Sequence, residues 1–221
     1  MTVAAFVPLK GHSARIPGKN LRQFGGRPLF HTIVTTLQTA ELVDSVYIDT
    51  DSDEIAESAA SLPEVSVIRR KPELIGDEVS VNLLIEDFLL EHEGVEHFIQ
   101  THSTNPLLSA KTIDAAIDRY MSDDAATSVF SVTRIQARVY DANLGAINHD
   151  PSELIPTQDL DPVFLENSNF YICGREAFFE NRARISSLPA IYEMDPFEAV
   201  DIDEEKDFEL AEALYLALLG S

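Results

Sequence analysis

The sequence predicts an α/β fold, a mostly parallel sheet with helices on both faces. Two observations carry that prediction. Short apolar runs alternate with segments of helical period at intervals of about 30 residues, the spacing of strand–helix–strand units. The 221 residues are 45% hydrophobic and 24% charged, the balance of a globular chain that can bury a core. One domain over 1–221, carrying an inserted arm or lid at 134–165, is the expected organisation.

Val3-Ala4-Ala5-Phe6-Val7-Pro8 is apolar, too short for a helix, and closed by the proline and then Gly11, so it reads as a buried strand. A loop follows. From Pro28, residues Leu29, Phe30, Ile33, Val34 and Leu37 fall at helical spacing, with the proline near the first turn, where its missing N–H costs nothing. Ser45 to Thr50 is a second strand, Asp53 to Ala60 a short helix and Glu64 to Arg69 a third strand. Val81, Leu84, Ile85, Phe88 and Leu89 mark a helix that ends before Gly94. Glu96 to Gln100 is a fourth strand, Ala110 to Met121 a helix and Ala126 to Val132 a fifth strand. Residues 134–165 lose the rhythm, because Gly145, Asn148, Pro151, Pro156 and Pro162 interrupt any period. Asn169 to Cys173 then reads as a strand, Arg175 to Glu180 as a short helix and Phe208 to Leu219 as an apolar final helix.

Sixteen basic residues against thirty-eight acidic ones give a net charge of −22, which repels a polyanionic duplex, so nucleic acid is not an expected partner. No apolar run approaches the roughly 20 residues of a membrane helix. The N-terminus, Met1-Thr2-Val3-Ala4-Ala5-Phe6-Val7, has neither a basic region nor a cleavage site, so the expected compartment is the cytoplasm, with no membrane contact. One cysteine, Cys173, leaves no internal disulfide and no multi-cysteine metal site, and in an apolar strand it reads as a core residue. The charge is unevenly spread: residues 1–71 hold eight basic and eight acidic residues, residues 72–221 eight and thirty. No Asp or Glu precedes Glu41, while Lys10, Arg15, Lys19, Arg22 and Arg27 crowd together. An acidic chain has kept one stretch purely cationic.

That stretch lies just past the first strand, where ligands bind in open α/β sheets. Gly11-His12-Ser13-Ala14-Arg15-Ile16-Pro17-Gly18-Lys19-Asn20 offers two glycines that let backbone N–H groups approach a ligand, a hydroxyl donor and two cations. Those are the parts of a phosphate cradle, although a solvated surface loop has the same composition. It is not a Walker loop, since Asn20 follows Gly18-Lys19 where Ser or Thr is required, and it is not a dinucleotide fingerprint.

The run from Lys10 to Asn20 resembles the N-terminal signature of the sugar-acid cytidylyltransferases. Ser13, Lys19 and Asn20 fit the sialic-type pattern R-x-G-S-K-G-x-x-x-K-N, while Arg15, Pro17, Gly18 and Lys19 fit the Kdo-type R-x-x-S-S-R-L-P-G-K. Lys10 stands where both have Arg, and Ala14 where the sialic type has Lys. Further likeness extends along the chain: Thr50-Asp51 with Glu54-Ile55-Ala56, Arg70-Lys71-Pro72-Glu73-Leu74 with Asp77, Thr104-Asn105-Pro106-Leu107, Gln158-Asp159-Leu160 with Glu166-Asn167, and Val200-Asp201-Ile202-Asp203 with Asp207-Phe208. The acylneuraminate cytidylyltransferase group is the best fit.

The resemblance implies a Rossmann-like nucleotidyltransferase fold and transfer of CMP from CTP to the anomeric hydroxyl of a sialic-acid-like sugar acid, nonulosonic or ulosonic, with release of pyrophosphate. By the same likeness Lys19, Arg15, Asp201 and Asp203 are catalytic, and Lys10, Gly11 and Ser13 complete a triphosphate cradle. Asn20, Ser80 and either Arg70 or Lys71 surround the base, since Lys71 stands at the family's arginine. His102, at the position of a family glutamine, with Ser103, Thr104, Asn105, Gln158 and Asn167 would face the acidic sugar. Asp201 and Asp203 sit two apart, so on extended backbone both carboxylates face one side and can share Mg²⁺, the implied cofactor. Asp203 has a second reading as the cap of the last helix. Residues 134–165 match the family's dimerisation arm, which implies a homodimer, while a flexible lid fits the residues equally well. Two other functions stay open, a nucleotidyltransferase of the same fold with another acceptor or base, and a catalytically silent nucleotide-binding subunit.

Overall fold

The structure, a computed structural model, describes residues 3–219, so Met1 and Thr2 of the N-terminal reading lie outside the described residues. Its strands are β1 (Val3–Leu9), β2 (Gln23–Phe24), β3 (Arg27–Pro28), β4 (Ser45–Thr50), β5 (Val65–Arg69), β6 (His97–Thr101), β7 (Ser128–Ile135), β8 (Val163–Gly174) and β9 (Pro189–Glu193). Its helices are α1 (Leu29–Thr39), α2 (Asp53–Ala59), α3 (Val81–Glu91), α4 (Ala110–Ser122), α5 (Arg175–Asn181) and α6 (Glu205–Leu219). Seven strands form one sheet in the order β5-β4-β1-β6-β8-β7-β9. Strands β5, β4, β1 and β6 run parallel, β8 runs antiparallel to both its neighbours, and β9 runs parallel to β7. The expected mostly parallel sheet is therefore present.

Alternation along β1 explains how the helices divide. Val3, Ala5, Val7 and Leu9 face one core with Phe30, Ile33 and Val34 of α1 and Ile113 and Ile117 of α4. Ala4 and Phe6 face the other with Leu84, Ile85 and Phe88 of α3 and Phe178 of α5. A strand buried on both faces must be apolar at every position, which is why the first run lacks the alternation of a half-exposed strand. A third, smaller cluster joins Ile16, Phe24, Leu29, Ile202, Phe208 and Ala211. It lies under the cationic turn and ties that turn to the segment just before α6.

The differences from expectation have physical causes. Strand β8 begins at Val163, six residues before Asn169, so Val163-Phe164-Leu165 belong to the sheet and pair with Ile135, Arg134 and Thr133. The pairing shifts between Phe130 and Val132, and Ser168 adopts a φ of 57°, so the strand's two-residue period is interrupted where sequence reading would detect it. The irregular segment between β7 and β8 is 136–162, with one 3-10 turn at Thr157–Asp159. Strand β9 opens with a proline, tolerated at a sheet edge. Gly25 and Gly26, at φ 57° and 87°, close a two-residue hairpin between β2 and β3. Among the described residues no helix is long and apolar enough to cross a membrane.

Candidate active site

The chain leaves β1 at Leu9 and enters the cationic turn. Ile16, 2% exposed, anchors the turn in the third apolar cluster. The Ile16 N–H donates to Ser13 Oγ at 3.4 Å and the Lys19 N–H to the Ile16 carbonyl at 3.2 Å, while Gly18 supplies the positive φ of 63° that starts the 3-10 turn Lys19–Leu21. Gly11 is required for another reason. Its N–H donates to Asp51 Oδ1 at 2.6 Å, and a Cβ there would sit 2.8 Å from Ser52 Cβ.

The same packing brings Asp201 to Asp203 alongside. Lys19 Nζ donates to the Ile202 carbonyl at 2.7 Å, between the two aspartates, and Arg15 pairs with Asp203 at 2.8 Å. Burial lowers the pKa of Lys19, with Arg15 acting in the same sense and both aspartates opposing. Asp201 is pushed up, first by burial and then by its like-charged neighbour Asp203, with the Thr104 hydroxyl opposing. Its Oδ1 is buried with no hydrogen-bond partner among the described residues. An orphaned carboxylate oxygen beside a second carboxylate is a place where a hard cation fits. Asp203 is not the cap of α6. Its side chain lies on Arg15, and the Asp207 carboxylate takes the N–H groups of Asp203 and Glu204 at 3.1 and 2.7 Å.

Two struts hold the turn against the end of β6. The Asn20 amide donates to the Lys10 carbonyl at 2.9 Å and accepts from Ser103 Oγ at 2.6 Å. The Ile202 N–H donates to the Thr104 carbonyl at 2.9 Å, and Asn105, wholly buried, reaches the Val200 carbonyl at 3.4 Å. Lys10 makes an exposed pair with Asp77 at 3.2 Å, a weak restraint on its ammonium.

Arg70 and Lys71 part company. Arg70 is buried, donating to Asp49 Oδ1 at 2.6 Å and to the carbonyls of Leu9 and Asp49, so it fixes the ends of β1 and β4 beneath the turn. Lys71 lies on α3 between Asp87 and Glu91, the latter at 2.6 Å, and those bonds raise its pKa. Ser80 caps α3, its Oγ accepting from the Asn82 N–H at 3.3 Å. Asn167, beside the irregularity in β8, donates to Thr133 Oγ1 at 3.0 Å. Gln158 is exposed on the 136–162 segment and makes no hydrogen bond among the described residues, so the fold of one chain does not bring it into the cluster around Lys19.

His102 follows β6 directly. Burial, then the cations Arg184 and Lys19, push its pKa down to about 4, so the ring is neutral at pH 7. Gln100 Nε2 at 3.2 Å and Arg184 at 3.4 Å are both donors toward His102 Nε2, which assigns the ring proton to Nδ1. Sequence reasoning named His102 and missed its neighbours Gln100, Tyr171 and Arg184. Arg184 stands in the loop between α5 and β9, where neither a period nor a motif marks it.

A concavity of about 580 Å³ lies elsewhere. It surrounds His97, at the opposite end of β6, and is lined by Glu93, Glu96, Glu176 and Glu180, a field that repels phosphate. Charge sign selects the cationic turn instead.

The chain is 31% identical over 217 residues to an N-acylneuraminate cytidylyltransferase of Oncorhynchus mykiss, covering 95% of this chain and 49% of that protein. It is 27% identical over 228 residues to the CMP-N,N'-diacetyllegionaminic acid synthase of Legionella pneumophila, covering 97% and 96%. It spans about half the length of the N-acylneuraminate cytidylyltransferases it matches, such as that of Streptococcus agalactiae at 25% identity, of which 52% is covered. A CMP:2-keto-3-deoxy-manno-octonic acid synthetase solved with CTP superposes with a TM-score of 0.70 at 14% identity, covering 99% of this chain and all of that one, a likeness of fold. The family model described as cytidylyltransferase matches residues 4–218, nearly the whole sequence, and the chain belongs to that family.

Proposed function

We propose that this chain transfers CMP from CTP to the anomeric hydroxyl of a sialic-acid-like sugar acid and releases pyrophosphate. The observation that carries the reading is the convergence of Lys19 and Arg15 on Asp201 to Asp203 at the carboxyl end of β1. Attack by the sugar oxygen on the α-phosphorus breaks the bond to the β-phosphate and leaves charge on pyrophosphate. Positioning and charge neutralisation supply most of the catalysis in such a transfer. Lys19 is held in place by the Ile202 carbonyl, so its ammonium is preorganised for that charge. Arg15 is 62% exposed, and its pair with Asp203 is weak enough for the guanidinium to move onto a phosphate. Lys10, the Gly11 backbone and Ser13 line the remaining phosphate path. Asp201 and Asp203 would hold a divalent cation, Mg²⁺ in this reading, which when bound supplies further neutralisation at the phosphates.

For the base we keep Asn20 and Ser80 with either Arg70 or Lys71: Arg70 is engaged by Asp49 and two carbonyls and is 1% exposed, while Lys71 is 38% exposed but paired with Asp87 and Glu91. The acceptor lies against His102, Ser103, Thr104, Asn105 and Asn167. The segment 136–162 between β7 and β8 acts as an arm toward a second copy in a homodimer, which gives the exposed Gln158 a place at the partner's site. The use of CTP suits the cytoplasm.

The test is a matrix of four nucleoside triphosphates against sialic, legionaminic, pseudaminic and Kdo acids with Mg²⁺, read as pyrophosphate. Release with CTP and at least one of these acids is expected. Release indifferent to the base, or none with any acid, overturns the reading.

A further inference from the structure

Arg184 carries a partly buried guanidinium with no counterion among the described residues. Arg70, buried beneath the turn, is paired with Asp49 at 2.6 Å, whereas the partly buried Arg184 has no carboxylate within ion-pair distance among the described residues. Its guanidinium carbon lies 3.4 Å from the centroid of the Tyr171 ring, and one Nη donates to Gln100 Oε1 and approaches His102 Nε2 at 3.4 Å. Its Nε and other Nη make no hydrogen bond among the described residues. Glu166, an acid whose charge acts on Arg184, is taken up by the Tyr171 hydroxyl. Burial lowers the pKa of Arg184, the sign of a cation held away from water and lacking an anion.

The fixed geometry narrows what that anion is. Stacking on Tyr171 sets the guanidinium plane and Gln100 takes up one of its edges, so the remaining N–H groups present a planar fork of the kind that grips a carboxylate with two parallel hydrogen bonds. Gln100 is wholly buried and its own amide donates to the Thr101 carbonyl at 2.9 Å, so it is not free to turn away. His102 lies between this fork and the phosphate turn, close enough to Lys19 to feel its charge.

Resting on the function proposed above, we propose that Arg184, stacked on Tyr171 and steered by Gln100, binds the carboxylate of the acceptor sugar. In a ulosonic acid that carboxylate is borne by the anomeric carbon itself. Anchoring it therefore also aims the attacking hydroxyl, and an acceptor without the acid group loses both binding and aim.

The experiment compares the acid giving most pyrophosphate with its C1 carboxamide, in the full chain with CTP and Mg²⁺. Wild type should favour the acid by about a hundredfold in kcat/KM, the scale of losing one partner of a buried charged pair. R184Q should raise KM for the acid, leave the carboxamide little changed, bring the ratio toward one and leave CTP affinity as it was. R184K should fall between. A ratio kept intact in R184Q, or an equal fall for both acceptors together with weaker CTP binding, overturns the subsite and leaves the cytidylyltransferase reading standing. Should R184Q fail to fold by circular dichroism, R184K and the wild-type ratio decide, and a wild-type ratio near one refutes the assignment. Wild type inert with CTP and every sugar acid overturns the functional reading and this subsite with it.

Discussion

His102 ties the chemistry of the site to the stability of the fold. Its folded pKa of about 4 lies below the ordinary imidazole value near 6.5, because burial and the neighbouring Arg184 and Lys19 all disfavour a charged ring. The unfolded chain thus takes up a proton between pH 6.5 and 4 that the folded chain refuses. Stability contributed by the neutral ring is present above the unfolded value, falls as pH drops through this window and levels off below about 4. Between pH 7 and pH 5, wild type should lose roughly 2 kcal/mol more unfolding free energy than H102Q, which cannot titrate. Urea melts of the two proteins at both pH values measure the difference, and equal losses would show a ring open to solvent. The same neighbourhood marks a limit of sequence reading. His102 drew notice from its place after a strand, but Arg184 acquires meaning from a guanidinium lying on Tyr171 and against Gln100, contacts that cross 13 and 84 positions of chain. Lys71 shows the converse. Its motif position, like that of Arg70, offers a cation for the base, and only the structure shows that Lys71 rests on the α3 carboxylates while Arg70 rests on Asp49.

Between elements, the β2–β3 hairpin and α6 set the distance from the cationic turn to the aspartates. Phe24 packs edge-on against Phe208 at 5.5 Å and tilts onto Tyr215 at 5.1 Å, while the Gly25 N–H donates to Glu212 Oε1 at 2.9 Å. Gly25 has a positive φ of 57°, and a Cβ there would overlap the Tyr215 ring. Gly25→Ala therefore combines backbone strain with overpacking, and a loss of roughly 1–3 kcal/mol is expected. Because Ile202 belongs to the same cluster, KM for CTP should rise as well. Thermal melts and CTP titration check both, and a variant as stable as wild type would show that hairpin and helix are not coupled. How the sequence disclosed these elements follows from the length of their patterns. Strands β1, β4, β5 and β6 and helices α1, α3 and α4 carry apolar periods long enough to count, and their bounds agree to within a few residues. The hairpin strands have two residues each, too few for any period. The first half of β8 is masked by the polar stretch Glu166 to Asn169 and by the shift in register opposite it.

For the molecule as a whole, two surface properties oppose each other. A net charge of −22, all of it carried downstream of residue 71, makes copies of the chain repel. Yet the segment joining β7 to β8 and the start of β8 expose Leu144 at 82%, Ile147 at 55%, Leu154 at 89% and Leu165 at 54%. Apolar surface concentrated on one projection is what a second copy would cover. Were such a dimer held by apolar burial against like-charge repulsion, salt would strengthen it, since screening shortens the reach of the repulsion from about 10 Å at 0.1 M to about 3 Å at 1 M. An interface held by ion pairs would weaken instead. Sedimentation should find a dimer at micromolar concentration, tightening as salt rises from 0.05 to 0.5 M. L144D/L154D should shift it to monomer with unchanged circular dichroism, adding two charges where apolar contact is needed. If turnover falls with the dimer while CTP binding to the isolated subunit persists, the arm completes the acceptor side of a neighbouring site. A chain monomeric in all conditions with full turnover would make 136–162 a lid over its own cleft.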